Sequence, residues 1–309
     1  MPPVESAAVT GPTPAADPAE AAEAAEVAVP LPARYGPGEA VVRYRRLGTG
    51  TPLLLLHGIG HHWQAWGPVL PALAERHDVI AVDLPGFGTS PALPPGVPYG
   101  LDAVVPVLGA LCSALGVERP HVAGNSLGGL LALGLGRAGL ARSVTALSPA
   151  GFWTEAERRY AFGVLAGMRL GARLLPEPAV ERLSRSTAGR TLLMSTIYAR
   201  PGLRAPAAAV AETRALRRAT GFEETLAVGR TTRFTGDVTA APVTIAWGTR
   251  DRILLRRQGV RALREIPDAR LVRLPGCGHV PMNDDPALVA RVVLDGCARA
   301  EGGRLSRSV

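Results

Sequence analysis

Gly124-Asn125-Ser126-Leu127-Gly128 is a Gly-x-Ser-x-Gly segment between a short apolar run, His121–Ala123, and a longer one, Ser126–Ala138, that reads as a buried helix. This context predicts a serine on a sharp, strained strand-to-helix turn, its hydroxyl exposed at the top of a sheet. A Cβ at 124 or 128 would crowd that turn, so glycine stands at both places. The chemistry is attack of a serine oxygen on an electrophilic carbon, and it needs a base. An ordinary Gly/Ser turn is the competing reading, and it leaves the flanking strand and helix unexplained.

A turn of this kind carries its partners in the order Ser, then Asp or Glu, then His. Of six histidines, His57, His61, His62, His77 and His121 precede Ser126, and only His279 follows it. His279 lies in Gly276-Cys277-Gly278-His279-Val280-Pro281, a loop suited to carry an imidazole over a sheet edge. The acid is expected after a late strand. Val243–Trp247 reads as such a strand, and Asp251 ends the turn that follows. Asp251 would hold the ring of His279 in the right tautomer and stabilise the imidazolium. An Asp after a Gly-Thr turn also serves as a helix cap, so that reading stays open. For the oxyanion, one donor is the amide after the nucleophile, Leu127. The other comes from His57-Gly58-Ile59-Gly60 after the apolar strand Leu53–Leu56, with Ile59 preferred and Gly60 competing. Gly58, Gly60, His61, Asn125 and Val280 flank these groups and are the candidate substrate-pocket residues.

The chain resembles the capped α/β-hydrolase fold family. The matching blocks are Leu56-His57-Gly58, Asp83 to Ser90, Gly124 to Gly129, Trp247 to Asp251 and Gly278-His279, in the family's order and spacing. They span about residues 39–150 and 237–301. The resemblance implies Ser126, Asp251 and His279 as a catalytic triad.

The elements that must position these groups alternate. Strands are expected at Glu39–Leu47, Leu53–Leu56, Val79–Asp83, His121–Ala123, Val144–Leu147, Val243–Trp247 and Arg270–Leu274. Helices are expected at Trp63–Arg76, from Asp102 to about Leu115, at Ser126–Ala138, Arg256–Ile266 and from Pro286 to about Ala300. Such alternation predicts an α/β fold with a mostly parallel central sheet and helices on both faces. Residues 151–236 break the pattern. They begin with the capping box Thr154-Glu155-Ala156-Glu157 and continue as helices at about 178–186, 188–199, 206–220 and 222–229. The expected organisation is a tail at 1–33, core at 34–150, a helical cap at 151–236 and core again at 237–309. The cap holds fourteen arginines against seven acids, and one or two facing the pocket would favour an anionic substrate.

Composition excludes several classes. The 309 residues are 47% hydrophobic, enough for a sizeable core, and no apolar run reaches the roughly 18 residues of a membrane span. Residues 1–33 are Ala/Pro-rich with five acids and no base, which fits neither a secretory signal nor a packed element. That tail is expected to be disordered and dispensable for folding. Three cysteines suit a reducing, cytoplasmic setting. Cys277 near His279 reads as a small loop hydrophobe. The net charge of +8 rests wholly on arginine, dispersed without a recognition motif, so nucleic acid is not expected as a partner. His61 and His62 are adjacent, but no further Cys, His or carboxylate accompanies them at ligand spacing, so no metal is expected.

The function expected is hydrolysis of a carboxylic ester, thioester or lactone through an acyl-enzyme, with no cofactor. The substrate is a small molecule with an apolar acyl or aromatic part, anionic if the cap arginines reach it. Asn125 before the serine also resembles the elbow of meta-cleavage carbon–carbon hydrolases. The Gly58-Ile59-Gly60-His61 loop and Val280-Pro281 depart from that group, which has a glycine-rich loop and a Trp soon after its His. A perhydrolase would use the same triad. A non-catalytic hydrolase-fold binding protein is the alternative of a different class, and such proteins typically lose a triad member, whereas none is lost here.

Overall fold

The computed structural model describes residues 24–302. Eight strands form one sheet: β1 (Ala25–Pro30), β2 (Glu39–Leu47), β3 (Thr51–Leu56), β4 (His77–Asp83), β5 (His121–Asn125), β6 (Ser143–Leu147), β7 (Val243–Gly248) and β8 (Arg270–Leu274). Their order is β1-β2-β4-β3-β5-β6-β7-β8. β1, β2 and β4 pair antiparallel, and every pairing from β4 onward is parallel. Leu53 to Leu56 of β3 are wholly buried, as an unbroken apolar strand between two parallel neighbours must be. Because β3 to β8 run the same way, the loops that leave their C-terminal ends gather at one edge. Open α/β sheets bind ligands at that edge.

The helices are α1 (Leu70–Ala74), α2 (Leu101–Ala114), α3 (Leu127–Arg137), α4 (Glu155–Leu174), α5 (Glu177–Ser184), α6 (Thr187–Met194), α7 (Pro206–Arg218), α8 (Phe222–Gly229), α9 (Arg257–Glu265), α10 (Pro281–Asp284) and α11 (Pro286–Ala300). Helices α4 to α8 are the insertion between β6 and β7. Helix α4 starts on the capping box: the Thr154 amide donates to Glu157 at 2.8 Å, and the Glu157 amide donates to Thr154 Oγ1 at 3.3 Å. The same Glu157 carboxylate is gripped by Arg257 and Arg261 of α9, which ties the insertion to the core.

Two expectations need correction. The single helix at Trp63–Arg76 is instead a 3-10 turn, Trp63–Trp66, and the short α1. Pro68, which has no amide hydrogen, follows Gly67 between them, so a continuous ladder cannot form. The disordered tail at 1–33 is also wrong at its end, because residues 25–30 are the edge strand β1. Residues 1–23 lie outside the described residues. β1 pairs with β2 over six residues and buries Val29 completely. A chain that begins at Leu31 is therefore expected to be less stable than one that begins at Ala24. The lost apolar contact and edge pairing are worth about 1–3 kcal/mol. At this size that lowers the melting temperature by several degrees in calorimetry, and identical melting would show that β1 adds nothing.

Candidate active site

Ser126 occupies the turn between β5 and α3 with φ 56° and ψ −113°, a left-handed backbone that a non-glycine residue rarely takes. The turn is enforced from both sides. A Cβ on Gly124 would stand 2.0 Å from the Gly128 carbonyl oxygen, and a Cβ on Gly128 would stand 2.1 Å from that of Leu56. The Ser126 amide donates to Leu147 O at 3.0 Å, which fastens the turn to β6. Leu127 opens α3, so its amide is one of the donors that a helix start leaves without an internal partner.

Asp251 follows β7 and divides its carboxylate between two tasks. Oδ1 accepts the amides of Ile253 and Leu254, each at 2.9 Å. Oδ2 lies 2.9 Å from His279 Nδ1. Thus Asp251 is a turn cap and the partner of the imidazole at once, and both residues are buried. The His279 loop is clamped as well. Its amide donates to Ile197 O of the insertion at 2.9 Å, and its carbonyl accepts Asn125 Nδ2 at 2.9 Å.

Asp284 ends α10, two residues before α11. Its carboxylate takes the amides of Gly278 at 2.7 Å, Ala199 at 2.9 Å and Arg200 at 2.7 Å. It therefore joins the insertion to the His279 loop. Its neighbour Asp285 caps α11 through the Leu288 amide at 3.0 Å. Nothing in the local sequence separates these adjacent aspartates, because two of the three partners of Asp284, Ala199 and Arg200, lie about 85 residues away.

His57 anchors the loop between β3 and the 3-10 turn. Its Nδ1 is 2.7 Å from Gly58 O, and its Nε2 accepts the Leu84 amide at 3.0 Å. That geometry fits only a neutral ring with its proton on Nδ1. Burial pushes its pKa down to about 4, against the pull of Asp83 upward. The unfolded chain binds this proton near pH 6.5 and the folded one near pH 4. Stability from this group is therefore complete above pH 6.5 and is lost between pH 6.5 and pH 4. The expected loss is about 3 kcal/mol. His57→Gln should flatten the melting temperature against pH across that window, and an unchanged profile would contradict the assignment. Asp83 holds two further segments of the same loop system, accepting the amides of Trp63 at 2.7 Å and Thr89 at 2.8 Å.

Ser126 and His279 face a cavity of about 410 Å³. Gly58, Ile59, Gly60, His61, Asn125 and Val280 all lie on its wall, beside insertion residues that sequence could not select, such as Met168, Leu193 and Leu216. Among the described residues, no arginine lines it. The buried arginines of the insertion are committed elsewhere. Arg169 reaches Ala219 O and Glu223, Arg190 reaches Ser184 O and Gly202 O, and Arg204 pairs with Glu212. The anionic substrate expected from the arginine count therefore finds no guanidinium on the cavity wall.

Cys277 is fully buried and its thiol is pushed up to about 12 by burial, which leaves it no thiolate for attack. Far from this site, at the N-terminal ends of β4 and β5, the ligand atoms of His77, His121 and Cys297 come within 4.8 Å of one another. Sequence spacing hides this group. His77 Nδ1 meets Thr51 O at 3.0 Å, and His121 meets Ser143 Oγ at 2.7 Å and Glu301 at 3.2 Å. The His121–Glu301 bond ties the end of α11 to the sheet, and burial pushes the Cys297 thiol up to about 12.

Comparison with known proteins agrees with this architecture. An uncharacterized protein of Mycobacterium tuberculosis is 30% identical over 266 residues, 81% of this chain and 76% of its own length. A pimeloyl-[acyl-carrier protein] methyl ester esterase of Aeromonas hydrophila is 46% identical over 91 residues, 29% of this chain and 34% of its own. Among solved structures, a meta-cleavage product hydrolase from Pseudomonas fluorescens superposes with a TM-score of 0.65 at 21% identity, covering 89% of this chain and 98% of that one, and so shares the fold. Residues 53–292 match the model of the alpha/beta hydrolase family. The chain belongs to the alpha/beta hydrolase family.

Proposed function

We propose that this hydrolase cleaves carboxylic esters through an acyl-enzyme on Ser126. The observation that carries the reading is the buried Asp251–His279 hydrogen bond beside a strained serine, with Ser126 and His279 open to one apolar cavity. With Nδ1 engaged by Asp251, Nε2 of His279 is the nitrogen left to take the Ser126 proton as Oγ attacks the carbonyl carbon. The amides of Ile59 and Leu127 stabilise the oxyanion, and the positive end of α3 reinforces the second. His279 then protonates the leaving oxygen, and water repeats the cycle on the acyl-enzyme. The insertion, which we assign to residues 151–236, acts as a cap that excludes water and supplies the apolar wall.

The carbon–carbon alternative has less support. A dienoate substrate carries a carboxylate, and a buried carboxylate needs a cationic partner. Among the described residues the wall offers no arginine, and the Asn125 amide is spent on Leu147 O and His279 O. Cys112, Cys277 and Cys297 are all free and buried, which supports a reducing, cytoplasmic setting. Turnover of p-nitrophenyl butyrate with no turnover of a vinylogous dienoic acid is the expected result. Turnover of the dienoic acid alone would overturn the ester reading.

A further inference from the structure

Ser126 opens onto two cavities of unequal size. The larger, about 410 Å³, has His279 and Asn125 on its wall and lies within the size range of small-ligand sites. The smaller, about 60 Å³, is walled by Leu127, Leu130, Trp153, Phe162 and Thr225 among others. Ser126, Ile59, Leu165 and Ile253 border both. His279 borders only the larger, and Leu127 only the smaller.

This asymmetry assigns the two halves of an ester. When Ser126 Oγ bonds to the carbonyl carbon, its proton passes to His279 and the carbonyl oxygen becomes the oxyanion. When the intermediate collapses, the bond from carbon to the alkoxy oxygen breaks, and His279 returns the proton to that oxygen, releasing the alcohol. The alkoxy oxygen must lie within hydrogen-bond reach of His279. The alcohol is thus held in the larger cavity. With the oxyanion turned toward the Ile59 and Leu127 amides, the acyl chain is the one substituent left, and it points away from His279 into the smaller cavity. Water then enters by the side the alcohol has vacated and meets the same base.

Resting on the Ser126–His279–Asp251 reading above, we infer that the protein is selective for esters of a short acyl group, acetyl to butyryl, with a bulky apolar alcohol. The walls agree with this chemistry. Insertion residues Met168, Leu193 and Leu216 give the larger cavity an aliphatic lining, whereas Trp153 and Phe162 close the smaller one with rings packed edge to face at 5.6 Å.

Octyl acetate and ethyl octanoate test this directly. They are isomers with primary alkoxy leaving groups, and they differ in which side of the ester bears the long chain. Octyl acetate should have the higher kcat/KM by about tenfold or more, as expected where several methylenes fit one cavity and not the other. Phe162→Ala should open the smaller cavity and raise the ethyl octanoate to octyl acetate ratio about tenfold. Leu193→Trp should fill part of the larger cavity and depress octyl acetate selectively, which keeps the test intact if Phe162→Ala does not fold. A preference for ethyl octanoate, or a Leu193→Trp defect concentrated on that ester, overturns the assignment. Cleavage of neither isomer by an enzyme that turns over p-nitrophenyl butyrate also overturns it and leaves the ester reading standing. Failure on all three esters defeats the ester reading itself.

Discussion

Ser126→Ala is expected to lower kcat toward p-nitrophenyl butyrate by about three orders of magnitude or more, while the melting temperature stays within a few degrees of wild type. The rate falls because alanine has no oxygen to form the acyl-enzyme. What remains is attack by water in a site that still offers the Ile59 and Leu127 amides and the cavity. The fold survives because the turn is set by its glycines and by backbone bonds. Gly124 and Gly128 still admit the close approaches of Gly128 O and Leu56 O, and the amide at 126 still donates to Leu147 O. Alanine bears the same left-handed φ at similar cost, and the side chain lost is small. Wild-type turnover by the purified variant would remove Ser126 from the mechanism.

Asp251→Asn is expected to cost about four orders of magnitude in kcat with little change in stability. An asparagine can turn its carbonyl oxygen to the Ile253 and Leu254 amides, which keeps the cap made by Oδ1. Its NH₂ then faces His279 Nδ1 where Oδ2 stood. An N–H donor there forces Nδ1 to accept, which places the ring proton on Nε2, the nitrogen that must take the serine proton. The variant should therefore fold normally and fail chemically. Circular dichroism and melting compared with kcat separate the two effects. A variant with wild-type kcat would reduce Asp251 to its capping role.

The candidate site was legible where a local constraint shows in the letters. Gly124 and Gly128 flank Ser126 because backbone oxygens of Gly128 and Leu56 leave no room for a Cβ. His279 stands out because no other histidine follows the serine. The β3 strand announced itself by four leucines buried on both faces. What sequence hid is long-range. β1 buries one side chain fully, Val29, and its alternation of Val27, Val29 and Leu31 with smaller or polar residues is short and set in an Ala/Pro-rich stretch. Asp284 and Asp285 look alike, and only folding brings Ala199 and Arg200 to the first. The arginine count of the insertion suggested anion binding because sequence cannot show that Arg169 and Arg190 are spent on backbone carbonyls. Likewise, the two cavities beside Ser126 arise where insertion residues such as Met168 and Phe162 meet the core, contacts with no local signature.

Covalent labelling with a fluorophosphonate, followed by peptide mapping, tests the central claim most directly. On the proposed mechanism the serine beside the imidazole attacks the phosphorus, and the adduct mimics the tetrahedral intermediate assigned to the Ile59 and Leu127 amides. The expected result is one adduct per chain on Ser126, lost in Ser126→Ala and strongly slowed in Asp251→Asn. An unlabelled native protein, or an adduct that persists on another residue in Ser126→Ala, would contradict the account.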